Sequence, residues 1–314
     1  MPGIAGIVSK IKGQDHTERL HQIVKGLAQA RDDESGEYAN VDSGIWLGWS
    51  CSNNVFSDVM LASNENKDIY LAFSGEEYES RARVKDKASL IPAYEDMNIE
   101  FLRQLGGRFS GILWDSRKSK VYIFVDRNGL KRLYFHENND VLFFSSEAKA
   151  LLTTLPNTRQ FDPQGLGEFL SLGFVMADRT LYSEIGLLPQ GALWECSPGS
   201  NTLKRSHFGM ETLEHDKFSN EVLFRARLEE IISDIMAELS QAGGNFGVVL
   251  NGDIPASLMM AWAPFHPFKV PCITPFLGEI DKRHVETAHK IAIVCQQHHE
   301  VLSLHRSFFT EFPA

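Results

Sequence analysis

The side chains best suited to metal binding and redox chemistry are scattered along this sequence. Its four cysteines are far apart and form no CxxC pair, a spacing that predicts neither a zinc site nor a disulfide framework. They are Cys51, Cys196, Cys272 and Cys295. We predict four reduced thiols in the core and no metal site.

Two pairs of histidines share a spacing of five residues: His16 with His21, and His284 with His289. On a helix, side chains three or four residues apart lie on one face, whereas side chains five apart do not. We therefore interpret all four as surface histidines.

Residue 2 is a proline, Pro2, directly behind the initiator methionine. Removal of Met1 leaves a secondary amine, which is able to act as a base or to form an iminium ion with a carbonyl compound. The alternative is that Pro2 is only a small residue that fits its position. Borohydride trapping with a carbonyl substrate distinguishes the two.

The composition is that of a globular protein without a basic surface. The chain has 314 residues, 43% of them hydrophobic, and a net charge of -10. This charge argues against a general nucleic-acid binder, which needs a basic face. No run approaches the roughly 20 apolar residues of a membrane helix. We expect a cytoplasmic protein with no membrane partner.

Residues 1–205 are predicted to form many short strands separated by polar breaks, with few helices. Helices are predicted at 16–30, 87–105 and 163–171. The predicted strands are 3–9, 44–49, 55–61, 69–74, 109–114, 121–125, 133–136, 141–145, 180–182 and 192–195. This pattern is typical of antiparallel sheets stacked on one another with helices outside.

The pattern then changes to strand, helix, strand, helix, strand, behind a charged linker at 211–218. A helix at 219–241 carries most of its apolar residues on or near one face. The strands predicted next are 246–250, 270–276 and 300–303, and the helices are 256–263 and 283–296. This alternation indicates a parallel sheet. We predict two domains, residues 1–205 and 206–314.

Motifs over the first 190 residues resemble those of class II glutamine amidotransferases. The segment 3–7, Gly-Ile-Ala-Gly-Ile, resembles the family's start, where a cysteine directly behind the initiator methionine is the nucleophile. Further segments match in the family's order: 73–78, 105–115, 126–134, 144–152 and 187–191. The resemblance implies an α+β fold, an N-terminal-nucleophile-type αββα sandwich.

The second domain resembles asparagine synthetases and β-lactam synthetases. In these families an apolar strand leads into a Ser-Gly-Gly-Leu-Asp-Ser-Ser loop that holds the phosphates of ATP. The residues in this place here are Leu250, Asn251, Gly252, Asp253 and Ser257, and most of them differ from the motif. The segment 286–302, which contains His298 and His299, resembles the family's next helix and strand. The resemblance implies a small, truncated α/β domain of the adenine nucleotide α-hydrolase type.

The amidotransferase-like pocket departs from the family at three positions. Pro2 replaces the nucleophile, Ser74 replaces the asparagine of the oxyanion hole, and the segment 47–52 lacks the arginine that binds the glutamine carboxylate. Three residues match the family pocket, namely Gly75, Glu76 and Asp86. The resemblance implies that they hold a glutamine amine or another small ammonium group. The alternative is that the two acids only solvate the rim of the pocket.

The nucleotide loop departs from the family in ways that oppose phosphate binding. A phosphate cradle uses successive backbone N–H groups and no negative charge. Pro255 removes one donor, and Asp253 adds a carboxylate whose repulsion at about 4 Å costs about 4 kcal/mol. A bridging magnesium ion would reverse that sign, so Mg-ATP remains open. Asn251 and Ser257 are expected to cap the next helix.

These departures favour a catalytically impaired, asparagine-synthetase-like homologue that binds a partner or regulates one. The partner would be a small amino-acid-like ligand or an active enzyme of the family, with a homodimer open and no cofactor expected. The alternative is an ATP-dependent amide-bond-forming ligase without glutaminase activity. A further alternative is that the chain is a fragment of a longer gene product.

Overall fold

The computed structural model divides the chain into two compact units, Met1–Glu214 and His215–Ala314. The sequence-based domain boundary, after residue 205, stays a prediction. The structure describes residues 3–28, 33–51, 59–76, 89–209, 220–241, 247–262, 269–276 and 282–304.

Twelve strands of the first unit form two six-stranded sheets in which all neighbouring strands are antiparallel. They are β1 Gly3–Ser9, β2 Glu34–Asn40, β3 Ile45–Cys51, β4 Val59–Ser63, β5 Ile69–Glu76, β6 Arg108–Asp115, β7 Lys120–Val125, β8 Tyr134–Glu137, β9 Val141–Ser145, β10 Gly186–Leu187, β11 Ala192–Cys196 and β12 Leu203–His207. The first sheet has the order β10-β8-β9-β1-β3-β2, and the second has the order β12-β11-β7-β6-β5-β4.

Four α-helices are described in this unit: α1 Thr17–Leu27, α2 Leu90–Met97, α3 Ala148–Thr154 and α4 Pro163–Leu172. Alternate residues of both sheets, such as Ile4 and Ile112, share one apolar core between the sheets. On the outer face of the first sheet, α1 and α3 close a second core that contains Leu20. On the outer face of the second sheet, α2 and a 3₁₀ helix at Asn98–Gln104 close a third. The layers therefore run helix, sheet, sheet, helix.

The second unit contains a small parallel sheet. Its elements are α5 Glu221–Gln241, β13 Val248–Val249, α6 Ile254–Trp262, β14 Cys272–Phe276, α7 Lys282–Val294 and β15 His299–Ser303. The strands lie in the order β13-β14-β15 and all pair in parallel. Leu250 and Cys272 are fully buried in its core, together with Ala288 from α7.

Several elements differ from the sequence-based expectation. The edge strand β2 is absent from that expectation, because its sequence, Glu-Ser-Gly-Glu-Tyr-Ala-Asn, has little apolar character. Tyr182 makes only an isolated bridge to Phe161, so the strand predicted at 180–182 is wrong. The helix predicted at 87–105 is a short α-helix followed by a 3₁₀ helix, and the linker predicted at 211–218 lies outside the described residues.

Helix α5 has a large exposed apolar surface, with Val222 72% and Ile235 49% exposed while Met236 is buried. Within the described residues, none of the helices is both long and apolar enough to cross a membrane.

The four cysteines are free thiols, three of them buried and Cys295 half-buried. In the buried Cys196, loss of hydration raises the thiol pKa to about 12.

Candidate functional site

The strand that follows Pro2 lies at the centre of the first sheet. Gly3 opens β1, which pairs with β3 on one side and β9 on the other. The Ile4 N–H donates to Ser146 Oγ at 3.0 Å, and the Ser146 N–H donates to the Ile4 carbonyl at 2.9 Å. A Cβ on Gly3 would lie 2.8 Å from the Ser146 Cβ, so the close approach requires glycine. Ser146 therefore fixes the start of β1, although Pro2 itself lies outside the described residues.

Ser74, predicted to stand in place of the asparagine of an oxyanion hole, lies opposite Ser110 in the β5–β6 pair. Two residues earlier on the same face, Ala72 lies opposite Ile112, and both belong to the core between the sheets. The hydroxyls of Ser74 and Ser110 are both fully buried, and neither has a hydrogen-bond partner among the described residues. Each unpaired buried hydroxyl costs about 1–3 kcal/mol. The second sheet therefore carries two adjacent unsatisfied hydroxyls, with no base in contact among those residues.

Gly75 follows Ser74 with a backbone φ of +141°, a conformation that L-residues rarely adopt. A Cβ at this position would lie 2.1 Å from the carbonyl oxygen of Arg108. The backbone of Glu76 pairs with Arg108 at the end of β5. Asp86, the last predicted member of the pocket, lies outside the described residues. The structure therefore brings Ser74, Gly75 and the Glu76 backbone together and does not describe the two acid side chains.

Strand β3, where a carboxylate-binding arginine was expected to be missing, carries no cation over Ile45–Cys51. Ser50 pairs with Gly3 in the β1–β3 register and is buried, with its hydroxyl unpartnered among the described residues. Trp49 is half-buried and packs so closely on Gly36 that a Cβ there would lie 2.5 Å from its indole nitrogen. A substrate carboxylate would therefore find no positive charge on this strand.

The Asp126 carboxylate organises the loop that supports this region, a role missing from the sequence-based expectation. It accepts backbone N–H bonds from Asn128 at 2.9 Å, Leu130 at 3.1 Å, Lys131 at 2.9 Å and Phe109 at 3.3 Å. The last bond ties the loop to β6 one residue before Ser110. The Asp-Arg-Asn-Gly segment therefore has a structural role. The sequence feature that could have predicted it is an Asp placed two to five residues before the backbone amides that it binds.

The nucleotide-like loop begins at the end of β13. Leu250 is fully buried, and its N–H donates to the Ile273 carbonyl at 2.9 Å. Gly252 has a φ of +75°, and a Cβ there would lie 3.0 Å from the Cβ of Thr287 on α7. The Asn251 side chain donates to Asp253 Oδ2 at 3.0 Å. The loop thus contacts α7 and hydrogen-bonds within itself.

Asp253 is the N-terminal cap of α6, which corrects the expectation that Asn251 and Ser257 cap this helix. Its Oδ1 accepts the Ala256 N–H at 2.9 Å, and its carbonyl accepts the Ser257 N–H at 3.1 Å. Pro255 has no N–H to offer. The N–H groups of Ala256 and Ser257 are therefore paired with Asp253, and Pro255 has none. The Asp253 carboxylate thus occupies the helix N-terminus at which phosphates would otherwise bind.

The four histidines predicted to lie at the surface have different environments. His16 is 5% exposed and packs edge-on against Trp46, with ring centroids 5.1 Å apart, so its surface assignment is wrong. Its Nε2 has no hydrogen-bond partner among the described residues. Burial is the main cause that lowers its pKa, and the charge of Arg19 adds to it. His21 is exposed and contacts Glu37 at 3.0 Å.

In the second unit His284 is exposed and donates to the Asn251 carbonyl at 3.2 Å. His289 contacts His299 across α7 and β15, at 3.3 Å between their Nδ1 atoms. This second contact joins two residues that no spacing in the sequence relates to one another.

A family sequence model described as "Glutamine amidotransferase domain" matches residues 1–208. Asparagine synthetase [glutamine-hydrolyzing] 1 of Bacillus subtilis is 24% identical over 288 residues, covering 85% of this chain and 44% of the relative. Asparagine synthetase [glutamine-hydrolyzing] 2 of the same organism is 25% identical over 311 residues, covering 89% and 41%. Asparagine synthetase B of Escherichia coli is 23% identical over 211 residues, covering 63% and 33%.

The chain therefore spans less than half the length of these relatives. Among solved structures, glutamine phosphoribosylpyrophosphate amidotransferase from B. subtilis, complexed with ADP and GMP, aligns with a TM-score of 0.44 and 13% identity. That alignment covers 96% of this chain and 80% of the other.

Proposed function

The chain belongs to the glutamine amidotransferase domain family, and from this premise we propose that it is an asparagine-synthetase-like member that binds an amino-acid-like ligand without hydrolysing glutamine. Its first unit would be an N-terminal-nucleophile-type sandwich in which the former pocket serves recognition. The bound state would regulate a partner, such as an active enzyme of the same family.

The observation that carries this proposal is the proline at residue 2. An amidotransferase of this type needs a thiolate there, with the free α-amine as its base, and proline has no nucleophilic side chain. In the protease subtilisin, loss of the catalytic nucleophile costs on the order of 10⁶ in rate. Ser74 offers no replacement, because its buried hydroxyl contacts no base among the described residues.

Ser74 and Ser110 support a binding role in place of catalysis. Two buried hydroxyls without partners among the described residues leave donors and acceptors that a polar ligand would satisfy, which recovers the cost of leaving them unpaired. Gly75 keeps the strand in the geometry that brings the Glu76 backbone beside them. Glu76 and Asp86 would add the negative charge that an ammonium group requires.

Ligand binding and turnover are separable in one experiment. Purified protein is titrated with L-glutamine by calorimetry, and ammonia release is followed in parallel. We expect binding without ammonia release. Ser74→Ala should weaken binding while the free energy of unfolding does not fall, because the described contacts of the free protein include no hydrogen bond from this hydroxyl. Ser43→Ala, in the turn before β3, is the matched control. Glutamine-dependent ammonia release by the wild-type protein would refute the proposal.

The alternative, an ATP-dependent amide-bond-forming ligase, rests on one observation. The exposed Asp253 carboxylate follows a parallel strand, where a magnesium ion held by it would attract ATP phosphates. The hydrogen bond from the Ala256 N–H to Asp253 argues against nucleotide binding here, since it occupies both the carboxylate and an amide that would contact a phosphate. Release of pyrophosphate from Mg-ATP that depends on a carboxylate substrate, with AMP and an amide formed when an amine is added, would favour the ligase.

A further inference from the structure

Two histidines of the second unit approach each other through the same ring atom. His299 opens β15 and is half-buried, whereas His289 lies on α7 and is exposed. Their Nδ1 atoms are 3.3 Å apart, and the ring centroids are 5.5 Å apart. Neither residue belongs to the loop at Asn251–Asp253 or to the pocket at Ser74, so the pair is a separate feature of the fold.

A chain of hydrogen bonds determines which nitrogen of His299 carries the proton. The buried Thr274 hydroxyl donates its single hydrogen to the Leu250 carbonyl, which is able only to accept. Thr274 Oγ1 therefore accepts the hydrogen bond from His299 Nε2 at 2.8 Å. Neutral His299 thus carries its proton on Nε2 and directs the lone pair of Nδ1 toward His289. Burial, followed by the charges of His289 and His298, lowers the pKa of His299.

The spacing of the two Nδ1 atoms matches the geometry of a chelated metal ion. In tetrahedral zinc sites the Zn–N bonds measure about 2.0–2.1 Å, which sets two ligating nitrogens about 3.3–3.4 Å apart. We propose that His289 and His299 chelate a divalent transition-metal ion such as Zn²⁺ through their Nδ1 atoms. Thr274 acts as the outer-shell partner, because it fixes the tautomer and the ring orientation of His299.

The remaining coordination positions would be filled from solvent. Among the residues that the structure describes, no group of three His, Cys, Asp or Glu side chains converges on one point. With only two protein ligands from the described part of the chain, we expect the site to bind its ion more weakly than a closed structural zinc site. A bound ion would link α7 to β15 and, through Thr274, to the end of β13.

The competing arrangement is a plain hydrogen bond, in which the Nδ1–H of His289 donates to Nδ1 of His299. The two arrangements differ in one observable. In the hydrogen bond the Nδ1 of His289 keeps its proton when zinc is added, whereas chelation removes that proton and shifts the ¹⁵N resonances of both rings.

The test is a titration of the full, metal-free chain with ZnCl₂ at a constant pH of about 7.5, since metal affinity depends on pH, followed by calorimetry and by ¹⁵N NMR of the histidine rings. We expect one ion per chain and shifts of both Nδ1 resonances. His289→Ala, an exposed change that should not disturb folding, should abolish the binding. His284→Ala, on the same helix, should leave it unchanged. Thr274→Val should weaken it by about 10–100-fold, as loss of outer-shell partners does, and Thr274→Ser should restore it.

Two results would overturn the proposal. The first is zinc binding of equal affinity in the wild type and in His289→Ala, which would place the ion elsewhere. The second is a His289 Nδ1 that stays protonated at saturating zinc, which would leave only the hydrogen bond.

Discussion

Replacement of Gly75 by alanine should destabilise the first unit much more than the same replacement at Gly13. Both glycines have a positive φ, +141° at Gly75 and +80° at Gly13. They differ in their surroundings. A Cβ at Gly75 would lie 2.1 Å from the Arg108 carbonyl oxygen and 2.5 Å from the Phe109 Cα, whereas no described atom lies within 4 Å of a Cβ at Gly13.

The magnitude follows from two separate costs. A non-glycine residue held in a sparsely populated backbone region costs about 1–3 kcal/mol, and this applies to both positions. At Gly75 the contacted atoms belong to the backbone of β6, which cannot rotate away, so an overpacking cost of typically about 1–3 kcal/mol is added. We therefore expect a loss of about 2–6 kcal/mol for Gly75→Ala and about 1–3 kcal/mol for Gly13→Ala.

The assay is urea denaturation of the wild type and the two variants at full length, followed by far-UV circular dichroism. Both variants carry the cost of a positive φ at a non-glycine residue. The additional loss of stability in Gly75→Ala therefore reports the steric contact of the new Cβ with β6. A second readout is glutamine binding, which should weaken in Gly75→Ala because the shift of β5 against β6 would separate Ser74 from Ser110. If Gly75→Ala proved no less stable than Gly13→Ala, the close β5–β6 approach would be refuted.

Three further predictions follow from the described contacts. Asp126→Ala leaves four backbone N–H groups without their acceptor and should lower the free energy of unfolding by at least about 3 kcal/mol. Asp126→Asn should lose less, because the amide keeps one acceptor oxygen. An unchanged urea midpoint in Asp126→Ala would contradict this role. Asp253→Ala removes the carboxylate that accepts the Ala256 N–H and should lower the free energy of unfolding by about 0.5–2 kcal/mol. Asp253→Asn, which is still able to cap the helix, should lose less. The measurement is the urea midpoint, and equal midpoints for the two variants would speak against the cap. Since burial holds the pKa of His16 below that of the unfolded chain, stability should fall as the pH drops below about 6.5. His16→Gln should flatten that dependence in urea midpoints measured from about pH 5 to 8, the range in which histidine titrates, and an equal slope in both proteins would count against it.

Much of the first unit was predictable from local sequence. Buried central strands such as β1 and β6 are recognisable because apolar residues fill both faces along most of their length. The segments matched to glutamine amidotransferases include strands, such as 3–7 within β1, and turns, such as the one within 126–134. The family match over residues 1–208 confirms that resemblance. The coarse fold class, antiparallel sheets with outer helices, is confirmed by the two six-stranded sheets and the helices that cover them.

The chemical details of the sites were less predictable, because they depend on contacts distant in sequence. The unpaired hydroxyls of Ser74 and Ser110 become a pair only through the β5–β6 register. The N-terminal cap expected at Asn251 and Ser257 lies instead at Asp253, since capping depends on the residue at which the helix begins.

By itself the sequence determined the family, the strands of the core and the presence of a proline at residue 2, since these depend on residue identity and short-range periodicity. The tertiary structure alone decided that His16 is buried and that His289 meets His299. The two residues are ten positions apart along the chain. They meet because α7 packs on the small parallel sheet to which β15 belongs, and packing between elements is set by their shared core.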